Sequence, residues 1–133
     1  MRETRARTEL LVEDAAAFEI LAYVRAARRL GGAMAELGVF AGGTARLICE
    51  AKGDAPLHLF DVFETLQGTV EPSVTGGDPV GADVRSLFGA WHTPRAAVER
   101  LLAPYSSVQI HAGVFPASAR DLHLENLSFV HVD

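Results

Sequence analysis

The chain has 133 residues, 49% of them hydrophobic and 22% charged, with a net charge of −5. That size suits one domain with a real core, and the acidic balance argues against a non-specific grip on nucleic acid or an anionic membrane. No run approaches the roughly 20 apolar residues that span a bilayer, and Glu3 and Glu9 sit among the first arginines, unlike a targeting peptide.

In chain order, Asp14 is placed to cap a helix running to about Leu30. Phe18, Leu21, Val24 and Ala27 or Arg28 recur at helical spacing, and Gly31-Gly32 ends it. "AMAEL" (33 to 37) reads as a short buried strand, "TARLICEAK" (44 to 52) as a helix and "LHLFD" (57 to 61) as a second strand. Cys49 is alone, which excludes an internal disulfide, fits a reducing cytoplasm and reads as a small buried hydrophobe.

Residues 66 to 92 differ. Glycines and prolines from Gly68 to Gly89 break any period, although "ADVRSLF" could form one or two helical turns. A stretch of this length without clear structure is expected to be a lid or mobile segment beside a site. "TPRAAVERLLAP" follows as a helix, with Thr93 as N-cap and Pro94 at the first helical position. "SVQIHAG" (107 to 113) and "LSFVHVD" (127 to 133) are the third and fourth strands, with a weaker helical stretch around Ala117 to Leu122 between them. The fourth alternates little, as a strand buried on both faces should.

Strands alternating with helices predict parallel pairing through right-handed crossovers, an α/β doubly wound sheet ordered 3-2-1-4. Such sheets bind ligands at the carboxyl ends of the strands. The stretch "AELGVFAGGTAR" (35 to 46) falls there. Its glycines do not fit a dinucleotide fingerprint, because Val39, Phe40 and Ala41 separate Gly38 from Gly42. The loop is also too short for a P-loop, and no lysine follows Gly43. A wider turn suits a ligand without a pyrophosphate. Gly38 would let the backbone approach the ligand, and Thr44, opening the next helix, could hold a carboxylate. Asp61, 25 residues after Glu36, ends the second strand where an acid can accept bonds from ribose hydroxyls. Together these describe S-adenosylmethionine better than NAD, and a NAD-binding oxidoreductase is disfavoured.

"AELGVFAGGTARLI", "LFDVFETLQG", "VQIHAGVFPAS" and "FVHVD" occur in that order. Together they resemble the macrocin O-methyltransferase-like family of class I S-adenosylmethionine-dependent methyltransferases, over about residues 18 to 133. The resemblance implies a Rossmann-like doubly wound parallel sheet of the class I type, with residues 1–133 as its cofactor-binding half, truncated after the fourth strand. By position it places Glu36, Gly38 and Thr44 around the methionine moiety, with Phe40 and Gly42 in the same cofactor-binding loop. Asp61 falls on the ribose, Phe63 and Glu64 beside the cofactor, and Gly113 to Phe115 on the adenine side. "FETLQG" departs from the family's F-E-G-L-P. A divalent metal such as Mg would orient the acceptor hydroxyl in the family, and Asp133 is the one position of that segment present here.

The remaining chemistry is sparse. His58, His111 and His131 fall in strand patterns and are expected to be structural. His92, beside Trp91, is the candidate acceptor-site base. Asp133 and His92 are thus the catalytic candidates, with Asp133 also the metal candidate. The expected function is methyl transfer from S-adenosylmethionine to a small-molecule acceptor oxygen, on a sugar or natural product. The alternative is a non-catalytic S-adenosylmethionine-binding or structural half-domain. The apolar fourth strand also predicts a homodimer through its edge.

Overall fold

The computed structural model describes residues 12–63, 93–124 and 126–133. The expected loop 66–92, with His92, and Glu64 therefore lie outside the described residues.

Helix α1 (Asp14–Ala27) continues as a 3-10 turn over Arg28–Leu30. Glu13, not Asp14, holds the N-cap position, and it makes no side-chain cap bond. Asp14 instead lies in the first turn, where its charge suits the helix dipole. The buried stripe is Ala17, Ile20, Val24 and Ala27, whereas Phe18 is 62% exposed. The expected stripe holds at Val24 and Ala27 and departs in the first turns, where Ala17 and Ile20 are buried, Leu21 is half-buried and Phe18 faces out. Both stripes are apolar at helical spacing, and periodicity does not choose between them. Packing does, because α1 lies against α2 (Gly43–Lys52), and the small side chains of Ala17 and Ala27 permit a close approach.

Helix α2 is buried almost all round, since it packs against α1 and also against α3 (Arg95–Leu102). Cys49 is buried here, and burial pushes its thiol up to about 12, so it behaves as a packing residue. Lys52 closes the helix. Its fully buried ammonium donates to the carbonyls of Gly53 at 3.1 Å, Ala55 at 2.9 Å and Ser106 at 2.7 Å. All three donors are used, so a charge that burial would otherwise penalise becomes a tie between the end of α2 and the segment leading to the third strand.

The sheet consists of β1 (Ala33–Leu37), β2 (Leu57–Asp61), β3 (Val108–Ala112) and β4 (Leu127–Val132), all parallel, in the order β3-β2-β1-β4. The expected fold class and strand order are those observed at this level. Register aligns Met34 with Leu57 and Phe129, and Leu59 with Ile110. These side chains join the core shared with the helices. The opposite face carries Ala35, His58, Phe60, His111 and Val130, as strict alternation requires.

Three expectations shift. Pro94 keeps an extended conformation at ψ 135°, so it is the N-cap, and α3 starts at Arg95 one residue later than predicted. The weak helix near Ala117 is a 3-10 turn over Ala117–Ala119. Strand β4 is not buried on both faces. Phe129 packs against the core, but Leu127, Val130 and Val132 are exposed, the last at 70%. Among the described residues the strand lies at the sheet edge, so its composition alone misstates its surroundings. Among the described residues no helix is long and apolar enough to cross a membrane.

Candidate functional site at the carboxyl ends of the strands

Parallel strands leave the sheet at one end, and the order reverses at β1, between β2 and β4. A crevice forms at such a reversal because the connections depart in opposite directions. The loop 38–42, Asp61 to Phe63, Gly113 and Asp133 all follow strand ends on this side.

Gly38 continues the ladder by donating to the Phe60 carbonyl at 2.9 Å. Its φ is +85°, and a Cβ there would lie 2.8 Å from the Asp133 carbonyl oxygen. The expected obstacle was a ligand; within the chain it is the backbone following β4. Val39 to Gly42 then form a turn closed by the Gly42 amide on the Val39 carbonyl at 2.8 Å. Gly42, left-handed at φ +80°, is the N-cap of α2. The amides of Gly43, Thr44 and Ala45 have no i−4 acceptor within the helix. Thr44 is buried in this first turn.

Asp61 organises the loop. Its Oδ2 accepts the amides of Val39 at 2.6 Å and Phe40 at 2.9 Å, and its Oδ1 accepts the amide of Phe63 at 2.9 Å. Phe40 and Phe63 both have positive φ, +47° and +44°. A left-handed non-glycine residue costs roughly 1–2 kcal/mol, and charge-assisted bonds to the same carboxylate offset this at both positions. The Gly113 amide donates to the Asp61 main-chain carbonyl at 2.9 Å, which brings the segment after β3 alongside. Phe115 meets Phe60 edge-on, with ring centroids 5.7 Å apart.

Glu36 is fully buried on β1. Register sets it opposite His131 of β4, whose Nδ1 lies 3.2 Å from its Oε1. Its second oxygen, Oε2, is buried without a hydrogen-bond partner. Burial raises its pKa to about 6, partly offset by the bond and charge of His131, while Asp133 and Asp61 add to the rise. His131 moves upward, chiefly through the Glu36 bond. Sequence reasoning did not single out His131 as a partner of Glu36. The only usable signal was the shared position of the two residues near their strand ends.

The other two strand histidines meet each other across β2 and β3. His58 Nδ1 and His111 Nε2 are 3.0 Å apart with stacked rings, and Phe60 stacks on His111. Burial lowers both pKa values, so one neutral imidazole donates to the other. Asp133 ends beside Gly38, but no group of three or more His, Cys, Asp or Glu side chains that could hold a metal occurs among the described residues. The described residues therefore do not assemble the implied Mg site.

Two clefts lie elsewhere. One of about 390 Å³ is lined by Arg28, Gly53 and Pro56 at the opposite end of the sheet, and one of about 280 Å³ by Arg95, Tyr105 and Ile110 beside β3. Neither touches the convergent carboxylates, which carry the more specific chemistry. Comparison with known proteins finds no family profile and no curated protein that matches the chain.

Proposed function

We propose that the carboxyl end of this sheet binds S-adenosylmethionine, and that the protein is a class I methyltransferase acting on an acceptor oxygen, a hydroxyl of a sugar or natural product. The observation that carries the reading is the buried, unpartnered Oε2 of Glu36, at the topological reversal beside the glycine turn. A carboxylate oxygen out of water and without a donor calls for a cationic one. The electrostatics favour the same ligand. Asp61 and Asp133 both lie close enough to act on Glu36, and carboxylates gathered there repel a pyrophosphate and attract an ammonium and a sulfonium. The free amides at the start of α2 suit the carboxylate of the same amino acid. The resemblance of the glycine loop and strand ends to macrocin O-methyltransferase-like proteins supports the same assignment.

The bound sulfonium supplies an activated methyl group for in-line displacement. The chain's part is then to hold the ligand, with Glu36 and the α2 amides on the amino-acid end and Asp61 on the ribose. Rate would come mainly from alignment of the acceptor. Calorimetry with S-adenosylhomocysteine should show saturable binding, and the analogue lacking the amino group should bind at least about tenfold more weakly. Equal affinities would remove Glu36 from the ligand, and absence of any binding would remove the reading. Binding without transfer to any hydroxyl acceptor would favour a non-catalytic binding module.

The exposed Leu127, Val130 and Val132 on an edge strand supply a template for a second copy. A two-fold pairing of β4 with its copy is the expected assembly. Sedimentation at micromolar concentration should show association, and a monomer throughout would discard this part of the reading.

A further inference from the structure

We infer that Asp61 is a clamp that sets the shape of the ligand loops before any ligand arrives, and that it keeps a single acceptor position for a ligand hydroxyl. The inference rests on the S-adenosylmethionine reading only for the identity of that ligand. An ionised carboxylate offers about four lone-pair directions. Two on Oδ2 are taken by Val39 and Phe40, and one on Oδ1 by Phe63. One direction on Oδ1 remains among the described residues.

The three amides belong to different connections. Val39 and Phe40 follow β1, whereas Phe63 follows β2, so one side chain fastens two loops to each other. Two of the three amides belong to non-glycine residues with positive φ, Phe40 and Phe63, which share this conformation with Ser107 and Asn126 elsewhere. Local sequence does not favour that conformation at a phenylalanine. The common bond to Asp61 accounts for its occurrence in both loops. The clamp is therefore a positioning device, and the glycine turn is preorganised in the free protein.

Preorganisation carries a consequence for specificity. A carboxylate with both oxygens free grips a cis-diol through two bonds. This one can accept a strong bond from one hydroxyl only, unless a loop amide is released. The 2′ and 3′ hydroxyls of a ribose should then contribute unequally.

Two measurements test the clamp. In the ligand-free protein, hydrogen exchange at the Val39, Phe40 and Phe63 amides should be slow together. In Asp61→Ala all three should exchange at least about tenfold faster, with Leu59 in β2 unchanged. Asp61→Asn, close in shape, should show a smaller effect of the same pattern, which keeps the test open should the alanine variant unfold. Unchanged exchange at the three amides in a folded variant would overturn the clamp. The second measurement uses the wild-type protein with 2′-deoxy and 3′-deoxy S-adenosylhomocysteine. One should bind within about twofold of the parent compound and the other at least about tenfold more weakly. Equal losses, or none, would overturn the single acceptor position. If the parent compound itself does not bind, the cofactor reading fails, and the exchange experiment alone decides the clamp.

Discussion

Gly38→Val is expected to lower stability by about 3 kcal/mol or more and to abolish binding of S-adenosylhomocysteine. Two terms combine. Valine at φ +85° occupies a region that a β-branched residue essentially never adopts. Its Cβ would also meet the Asp133 carbonyl oxygen at 2.8 Å, and that atom is backbone that cannot swing aside as a side chain would. Movement there pulls on the bond from the Asp133 amide to the Leu37 carbonyl, at 3.0 Å. The next two amides, of Val39 and Phe40, are those held by Asp61. The strain therefore enters the sheet and the ligand loop together. Gly38→Ala should show the same pattern at smaller amplitude. Urea unfolding midpoints and calorimetry decide the matter: a valine variant with unchanged midpoint and affinity would show that neither the conformation nor the close approach constrains this position.

The second large effect is a pH dependence centred on Glu36. Its carboxyl group ionises near 4.5 in the unfolded chain and at about 6 when folded, chiefly because of burial. Between those values the folded state holds a proton that the unfolded state has released, so stability falls as pH rises through the interval. Above about pH 6 the full penalty applies, roughly 2 kcal/mol for a shift of this size. His131 acts in the same direction. Raised chiefly by the Glu36 bond, it contributes fully below 6.5 and loses that contribution as pH climbs through its folded value. His58 and His111 oppose both, since burial lowers them and their contribution is lost as pH falls below 6.5. Glu36→Gln removes the carboxylate and, with it, the chief cause of the His131 rise. Relative to wild type it should gain about 2 kcal/mol between pH 4.5 and 7 in denaturant titrations. Parallel stability curves for the two proteins would show that Glu36 does not change its protonation on folding. A ligand ammonium at Oε2 would reduce the same penalty, so saturating S-adenosylhomocysteine should flatten the wild-type curve.

Local order was legible in the sequence by itself. The spans "AMAEL" and "LHLFD" coincide with β1 and β2, because apolar runs bounded by glycine or proline are complete within a few residues. Alternation of strands with helices likewise determined the parallel 3-2-1-4 order, since right-handed crossovers leave few alternatives. The acid at the end of β2 was also visible, but its partners were not. Asp61 reaches Val39 across 22 positions, Lys52 reaches Ser106 across 54, and Glu36 meets His131 across 95. No local window contains such pairs. Only the tertiary structure decided which apolar stripe of α1 faces inward, why Gly38 tolerates no side chain, and that β4 leaves Val130 and Val132 exposed. The physical reason is common to all three. Periodicity specifies what an element is, whereas burial and hydrogen bonding depend on which distant element lies against it.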